Sequence, residues 1–119
     1  RPFCPSLLYE RADEYLVKPV FHPFMVLACT IRPEARHNIP AVVHVDGTAR
    51  VQTVRRADNT KFYDLIKAFD DLTGVPVLLN TSFNIKGEPI VCTPQDAIRC
   101  FRKTGMDVLA IGDYMVVKE

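Results

Sequence analysis

Thr60-Lys-Phe-Tyr-Asp-Leu-Ile-Lys-Ala-Phe-Asp-Asp-Leu-Thr73, followed at once by Gly74-Val-Pro-Val-Leu-Leu79, is the stretch on which the fold turns. Phe62, Leu65, Ile66, Phe69 and Leu72 recur at steps of three and four, so the spacing predicts a helix over 60–73 with one apolar stripe toward the core. Asn59 or Thr60 can cap its start and Gly74 can end it, with Pro76 soon after as a terminator. Val75–Leu79 is apolar and partly β-branched, which predicts a buried strand. A helix emptying directly into a buried strand is the unit of an α/β layer.

Downstream of that unit, Lys86-Gly-Glu-Pro89 reads as a turn and Ile90-Val-Cys92 as a short strand. Thr93-Pro-Gln-Asp96 is a helix start: a capping hydroxyl, proline at the first helical position, and an acid three residues after the cap. Ala97, Ile98, Cys100 and Phe101 face inward and Gly105 ends the helix. Asp107–Ile111 and Tyr114–Val117 are strands around Gly112-Asp113. Upstream, Ala41–Val54 predicts a β-hairpin, with Asp46-Gly47 as a two-residue turn. Val45 would then face Thr48 and Val43 face Arg50, with Arg50 and Gln52 on one side of the strand and His44 on the other. Met25–Ile31 reads as a buried strand, Pro33–Pro40 as a polar loop, Glu10–Leu16 as a short helix, and Phe3–Glu10 as an edge strand. The expected fold class is α/β (α+β), a mixed sheet with flanking helices.

The bulk properties narrow the function. At 119 residues the chain has room for one domain with a real core. Arg1 in place of Met reads as a cut point, and the expectation is a fragment of a longer protein. Lys and Arg number 15 against 14 Asp and Glu. That near-balance argues against a nucleic-acid partner held by phosphate attraction. The longest apolar runs, Met25–Cys29 and Val75–Leu79, are far short of the roughly 20 residues a bilayer needs, so no membrane segment is expected. Cys4, Cys29, Cys92 and Cys100 lack CxxC spacing, which predicts reduced thiols in a cytoplasmic protein and no metal site.

Three places could carry chemistry. Asn80-Thr-Ser-Phe-Asn84 gathers amides and hydroxyls at the carboxyl end of an apolar strand, where ligands bind in open α/β sheets. The same residue types also make turns, and composition alone does not choose between the two readings. Arg50 carries a planar fork that matches phosphate oxygens, or it is a solvated surface arginine. Arg1 is half of a phosphate grip or a frayed terminus. His44 reads as a structural histidine, and no phosphate-loop, zinc-protease or nucleophile-elbow motif is present.

Several stretches together resemble the carbamoyltransferase family that includes nodulation protein U. They are Arg1-Pro-Phe-Cys-Pro-Ser6, His44-Val-Asp-Gly-Thr-Ala-Arg-Val-Gln-Thr-Val54, Thr73-Gly-Val-Pro-Val-Leu-Leu-Asn-Thr-Ser-Phe-Asn84, Gly87-Glu-Pro-Ile-Val91 and the ending from Asp107 to Lys118. The resemblance implies that residues 1–119 are the carboxy-terminal part of a YrdC-like domain with a twisted mixed sheet. It implies that this domain forms carbamoyl adenylate from ATP and carbamoyl phosphate, with Mg2+. An amino-terminal Kae1-like domain of the same chain, which binds its own metal ion, would pass the carbamoyl group to a small-molecule hydroxyl acceptor. It places catalytic roles on Arg50 and Asn80, and ligand contacts on Arg1, Arg50, Asn80, Ser82 and Asn84. It also implies a Lys and a second Arg upstream of Arg1, which this sequence does not contain. Two other readings stand beside it: a YrdC-like role in tRNA threonylcarbamoylation, and a non-catalytic nucleotide-binding or interaction domain.

Overall fold

The computed structural model describes residues 3–118 and divides into two units, Arg1–Thr81 and Ser82–Glu119. The first unit is built on a three-stranded sheet. Strand β1 (Cys4–Leu8) lies in its middle, parallel to β4 (Gln52–Val54) and antiparallel to β5 (Val77–Asn80). The mixed strand directions and flanking helices bear out the expected α/β class.

β1 was expected at an edge, and the structure puts it at the centre with all five residues buried. Its proline costs little, because the ladder to β4 begins only at Ser6, beyond Pro5. Alternation along β1 feeds two cores. Leu7 joins Val77, Val51, Ile31 and the short helix α1 (Ala12–Tyr15) on one face. Leu8 joins Val54 and Ile66 on the other. Each fully buried Leu or Ile contributes about 2 kcal/mol of transfer free energy.

Helix α2 (Thr60–Thr73) forms over the expected range. The Asn59 side chain accepts from the Phe62 N–H, and Gly74 closes the helix at a φ of 74°. Its buried seam differs from the expected stripe. Ile66 and Asp70 are buried, while Leu65, Phe69 and Leu72 are 57%, 37% and 86% exposed. Phe62, Ile66 and Asp70, four apart, face the sheet. The carboxylate is tolerated there because Arg11 donates to it at 3.0 Å.

The hairpin expected over Ala41–Val54 does not form. Strand β3 (Thr48–Arg50) pairs instead with β2 (Ala28–Thr30), Arg50 opposite Ala28. Pro40 opens a 3-10 turn over Pro40–Val42 that bends the chain away from an extended path. The Gly47 N–H donates to the His44 carbonyl at 2.9 Å, and the Asp46 carboxylate accepts from the Thr48 N–H at 2.9 Å. Only Gly47 has positive φ, whereas the two-residue turn needs it at both central residues. A side chain at Gly47 would collide with the Arg36 guanidinium, so this turn also serves as a packing surface.

The buried strand expected over Met25–Ile31 shrinks to β2, which is largely exposed. Met25 breaks the extended run with a φ of 53°. Ile31 alone goes to the core, bridging to Leu16.

In the second unit, helix α3 (Pro94–Lys103) starts with the expected capping box between Thr93 and Asp96. Ala97 and Phe101 pack on Leu109, which lies in β6 (Val108–Ile111), paired antiparallel to β7 (Tyr114–Val117). Cys100 is also buried, while Ile98 is more exposed than expected. The strand expected at Ile90–Cys92 is absent, and a single bond from the Val91 N–H to the Phe83 carbonyl stands in its place.

Candidate functional site

On one face of the central sheet the pairing of β1 sorts side chains by chemistry. Leu8 lies opposite Val54, and both are closed over by Ile66, Phe62 and Tyr63 of α2. Two residues back along the strand, Ser6 lies opposite Gln52, and two further back Cys4 lies opposite Asn80. The same face therefore changes from apolar to polar within a few residues.

The polar end holds two hydrogen-bonded groups side by side. Arg50 donates through Nη2 to Cys4 Sγ at 3.0 Å. The Ser6 hydroxyl donates to Gln52 Oε1 at 2.7 Å. Asn80 Nδ2 donates to Ser6 Oγ at 3.1 Å and to Gln52 Oε1 at 3.2 Å. Gln52 Nε2 donates to the Pro23 carbonyl at 3.0 Å. Cys4 and Ser6 are buried, while Arg50 is exposed. Val51 is fully buried between Arg50 and Gln52, so alternation does put those two side chains on one side, as expected, though β2 and not a hairpin strand holds Arg50 in place.

Arg11, Arg32, Arg55, Arg56 and Arg99 each sit against a carboxylate. Among the described residues Arg36, Arg50 and Arg102 have none, and of these Arg50 is the one on the polar sheet face, in contact with the neutral Cys4 thiol. An exposed guanidinium whose contacts are all uncharged retains its full attraction for an anion.

The other expected site residues fall elsewhere. Arg1 lies outside the described residues. Ser82 and Asn84 belong to the second unit, where the Ser82 hydroxyl donates to Asn84 Oδ1 at 2.7 Å. Asn84 Nδ2 in turn reaches the Ile85 and Glu88 carbonyls at 3.1 and 3.2 Å, bracing the Ile85–Glu88 turn. His44 Nδ1 lies 3.2 Å from Thr48 Oγ1, within its own turn. An apolar groove of about 490 Å³ runs along β5, walled by Ile39, Val42, Phe69, Val77 and Leu79, and offers no charged group. Cys4, Ser6 and Gln52 were not expected as site residues, although Gln52 was expected on the same side as Arg50. Their one signal was strand alternation, which needs the register of three strands before it points anywhere.

All four cysteines are free thiols, and burial pushes Cys29 above its ordinary value. Among the described residues no group of three or more His, Cys, Asp or Glu could hold a metal ion. No helix among them is long and apolar enough to cross a membrane.

Residues 1–118 match the family model described as carbamoyltransferase C-terminus. The chain belongs to this carbamoyltransferase family. Similar proteins include nodulation protein NolNO of Sinorhizobium fredii, 46% identical over 99% of this chain and 18% of its own length. An uncharacterized Methanocaldococcus jannaschii protein is 44% identical over 98% of this chain and 23% of its own. The 3'-hydroxymethylcephem-O-carbamoyltransferase of Amycolatopsis lactamdurans is 34% identical over 95% of this chain and 21% of its own. This carbamoyltransferase chain thus spans about a fifth of the length of the curated relatives it matches. The resemblance read from Arg50, Asn80 and their flanking motifs is confirmed at the level of the family.

Proposed function

We propose that the chain is the carboxy-terminal part of an O-carbamoyltransferase and that the Arg50–Asn80 cluster binds carbamoyl phosphate beside ATP. The observation that carries this reading is Arg50, an exposed guanidinium with no carboxylate partner among the described residues, bonded to the Cys4 thiol on the sheet face that carries Ser6, Gln52 and Asn80. Arg50 neutralises phosphate charge as two anions are brought together, and Asn80 orients the carbamoyl group. Water displaces phosphate from carbamoyl phosphate, and the carbamate formed attacks the ATP α-phosphorus with loss of pyrophosphate, giving carbamoyl adenylate. An amino-terminal domain of the longer protein passes its carbamoyl group to a small-molecule hydroxyl, an acceptor type named for the cephem relative. For Arg1, Ser82 and Asn84, support for ligand contact comes from the family resemblance alone.

The described residues do not fit a protein-held Mg2+. The cluster has no carboxylate, and no metal-ligating group of three occurs among them. Any Mg2+ would arrive on the nucleotide phosphates, as that ion commonly does.

The test is ATP–pyrophosphate exchange by the full-length protein, with and without carbamoyl phosphate. Exchange should require carbamoyl phosphate, and Arg50→Ala should lower it about 100-fold or more with the fold intact. A well-folded wild type without exchange, or full exchange in the variant, would sink the reading.

A further inference from the structure

The hydrogen bonds around Gln52 have a direction that starts from a carbonyl. The Pro23 carbonyl can only accept, so the group of Gln52 that faces it at 3.0 Å is the amide nitrogen. That turns Gln52 Oε1 toward β1 and β5. Oε1 accepts the Ser6 hydroxyl proton at 2.7 Å, which leaves Ser6 Oγ with lone pairs only for its other neighbour. Asn80 therefore faces two acceptors, Ser6 Oγ at 3.1 Å and Gln52 Oε1 at 3.2 Å, and must present Nδ2 to both. A flipped Asn80 would set oxygen against oxygen.

Asn80 thus turns Nδ2 toward the cluster, and its Oδ1 lies on the other side of the amide. Among the described residues no donor reaches Oδ1, and Asn80 is only half-buried. Asn80 lies opposite Cys4, and Arg50 donates to that same Cys4. The acceptor and the cation therefore both border Cys4. The ligand that satisfies both has an anionic group beside an N–H donor.

We propose that Gln52 is a positioning residue: anchored on the Pro23 carbonyl, it locks Asn80 with its oxygen toward the ligand, and this makes the site selective for a carbamoyl –NH2. The inference rests on the carbamoyl phosphate reading above and deepens it. A site with a fixed, open acceptor rejects the isostere that lacks the donor, because the acceptor is then left unpaired. Acetyl phosphate is that isostere, with a methyl in place of the amino group and the phosphate unchanged for Arg50.

Carbamoyl phosphate and acetyl phosphate are titrated separately into the full-length protein by calorimetry. Wild type should bind carbamoyl phosphate about tenfold or more tightly than acetyl phosphate. Gln52→Leu should bring that ratio close to one while leaving the acetyl phosphate Kd within about twofold, since the Arg50 contact is untouched. Ser6→Ala, a small change at a buried position, should narrow the ratio in the same direction by a lesser amount and guards against a Gln52→Leu protein that does not fold. A ratio near one in wild type, or one that survives both variants, overturns the inference and leaves the proposed function standing. Absence of binding by either phosphate in folded wild type overturns both.

Discussion

The two ends of one sheet face differ by a step of two residues along β1 and do opposite work. At Leu8, Val54 and Ile66 side chains pack into a dry seam under α2. At Ser6, Gln52 and Asn80 the same strands carry a chain of hydrogen bonds that ends on Asn80, opposite the Cys4 that Arg50 contacts. Backbone geometry is continuous from one end to the other. Where α2 covers the sheet, burial favours hydrocarbon, and where it does not, polar groups keep their partners and remain reachable. A rigid apolar seam next to the site is also what holds the polar groups still.

That contrast predicts separable effects. Ile66→Ala should cost roughly 2–5 kcal/mol by leaving a cavity under α2. It should lower the urea midpoint sharply, whereas Arg50→Ala should leave the midpoint almost unchanged. Equal shifts in the two variants would mean that the two ends are not separate.

Acid should act away from the polar end. Glu14 is held below the ordinary carboxylate range by the Arg11 guanidinium, Asp46 by the Thr48 N–H and hydroxyl, and Asp96 by the Thr93 hydroxyl. A carboxylate depressed in the folded state contributes stability that is fully present above its unfolded value, about 4, and is lost as pH falls through the folded one. Urea midpoints should therefore be level from pH 7 to 5 and drop below about pH 4. The drop should be shallower in Glu14→Gln. A midpoint indifferent to pH down to 2 would contradict these three contacts.

The smallest effect is expected on the outer side of α2. Leu72 is 86% exposed, so Leu72→Lys should change stability by no more than about 0.5 kcal/mol. A loss of 2 kcal/mol or more would show that the buried seam of α2 runs where the apolar spacing first placed it.

Much of the local structure was legible in the sequence because its causes are local. Asn59 and Gly74 bound α2, Thr93 and Asp96 cap α3, and Gly112-Asp113 joins β6 to β7. The misreadings share a different cause. Asp46-Gly47 does make a turn, but which strand pairs with β3 is a long-range choice, and Pro40 and Met25 shaped both candidates. Leu65, Phe69 and Leu72 looked buried, but the side of α2 that meets the sheet carries Phe62, Ile66 and Asp70.

For the candidate site the division is similar. Sequence alone determined the family and the alternation that puts Arg50 beside Gln52, because each rests on residue identity and short spacing. Tertiary structure alone decided that Cys4, Ser6, Gln52 and Asn80 share one patch, and which way each amide faces. Those depend on the register between β1, β4 and β5, strands that lie dozens of residues apart in the chain. Register is settled by the whole buried face at once, and no local segment encodes it.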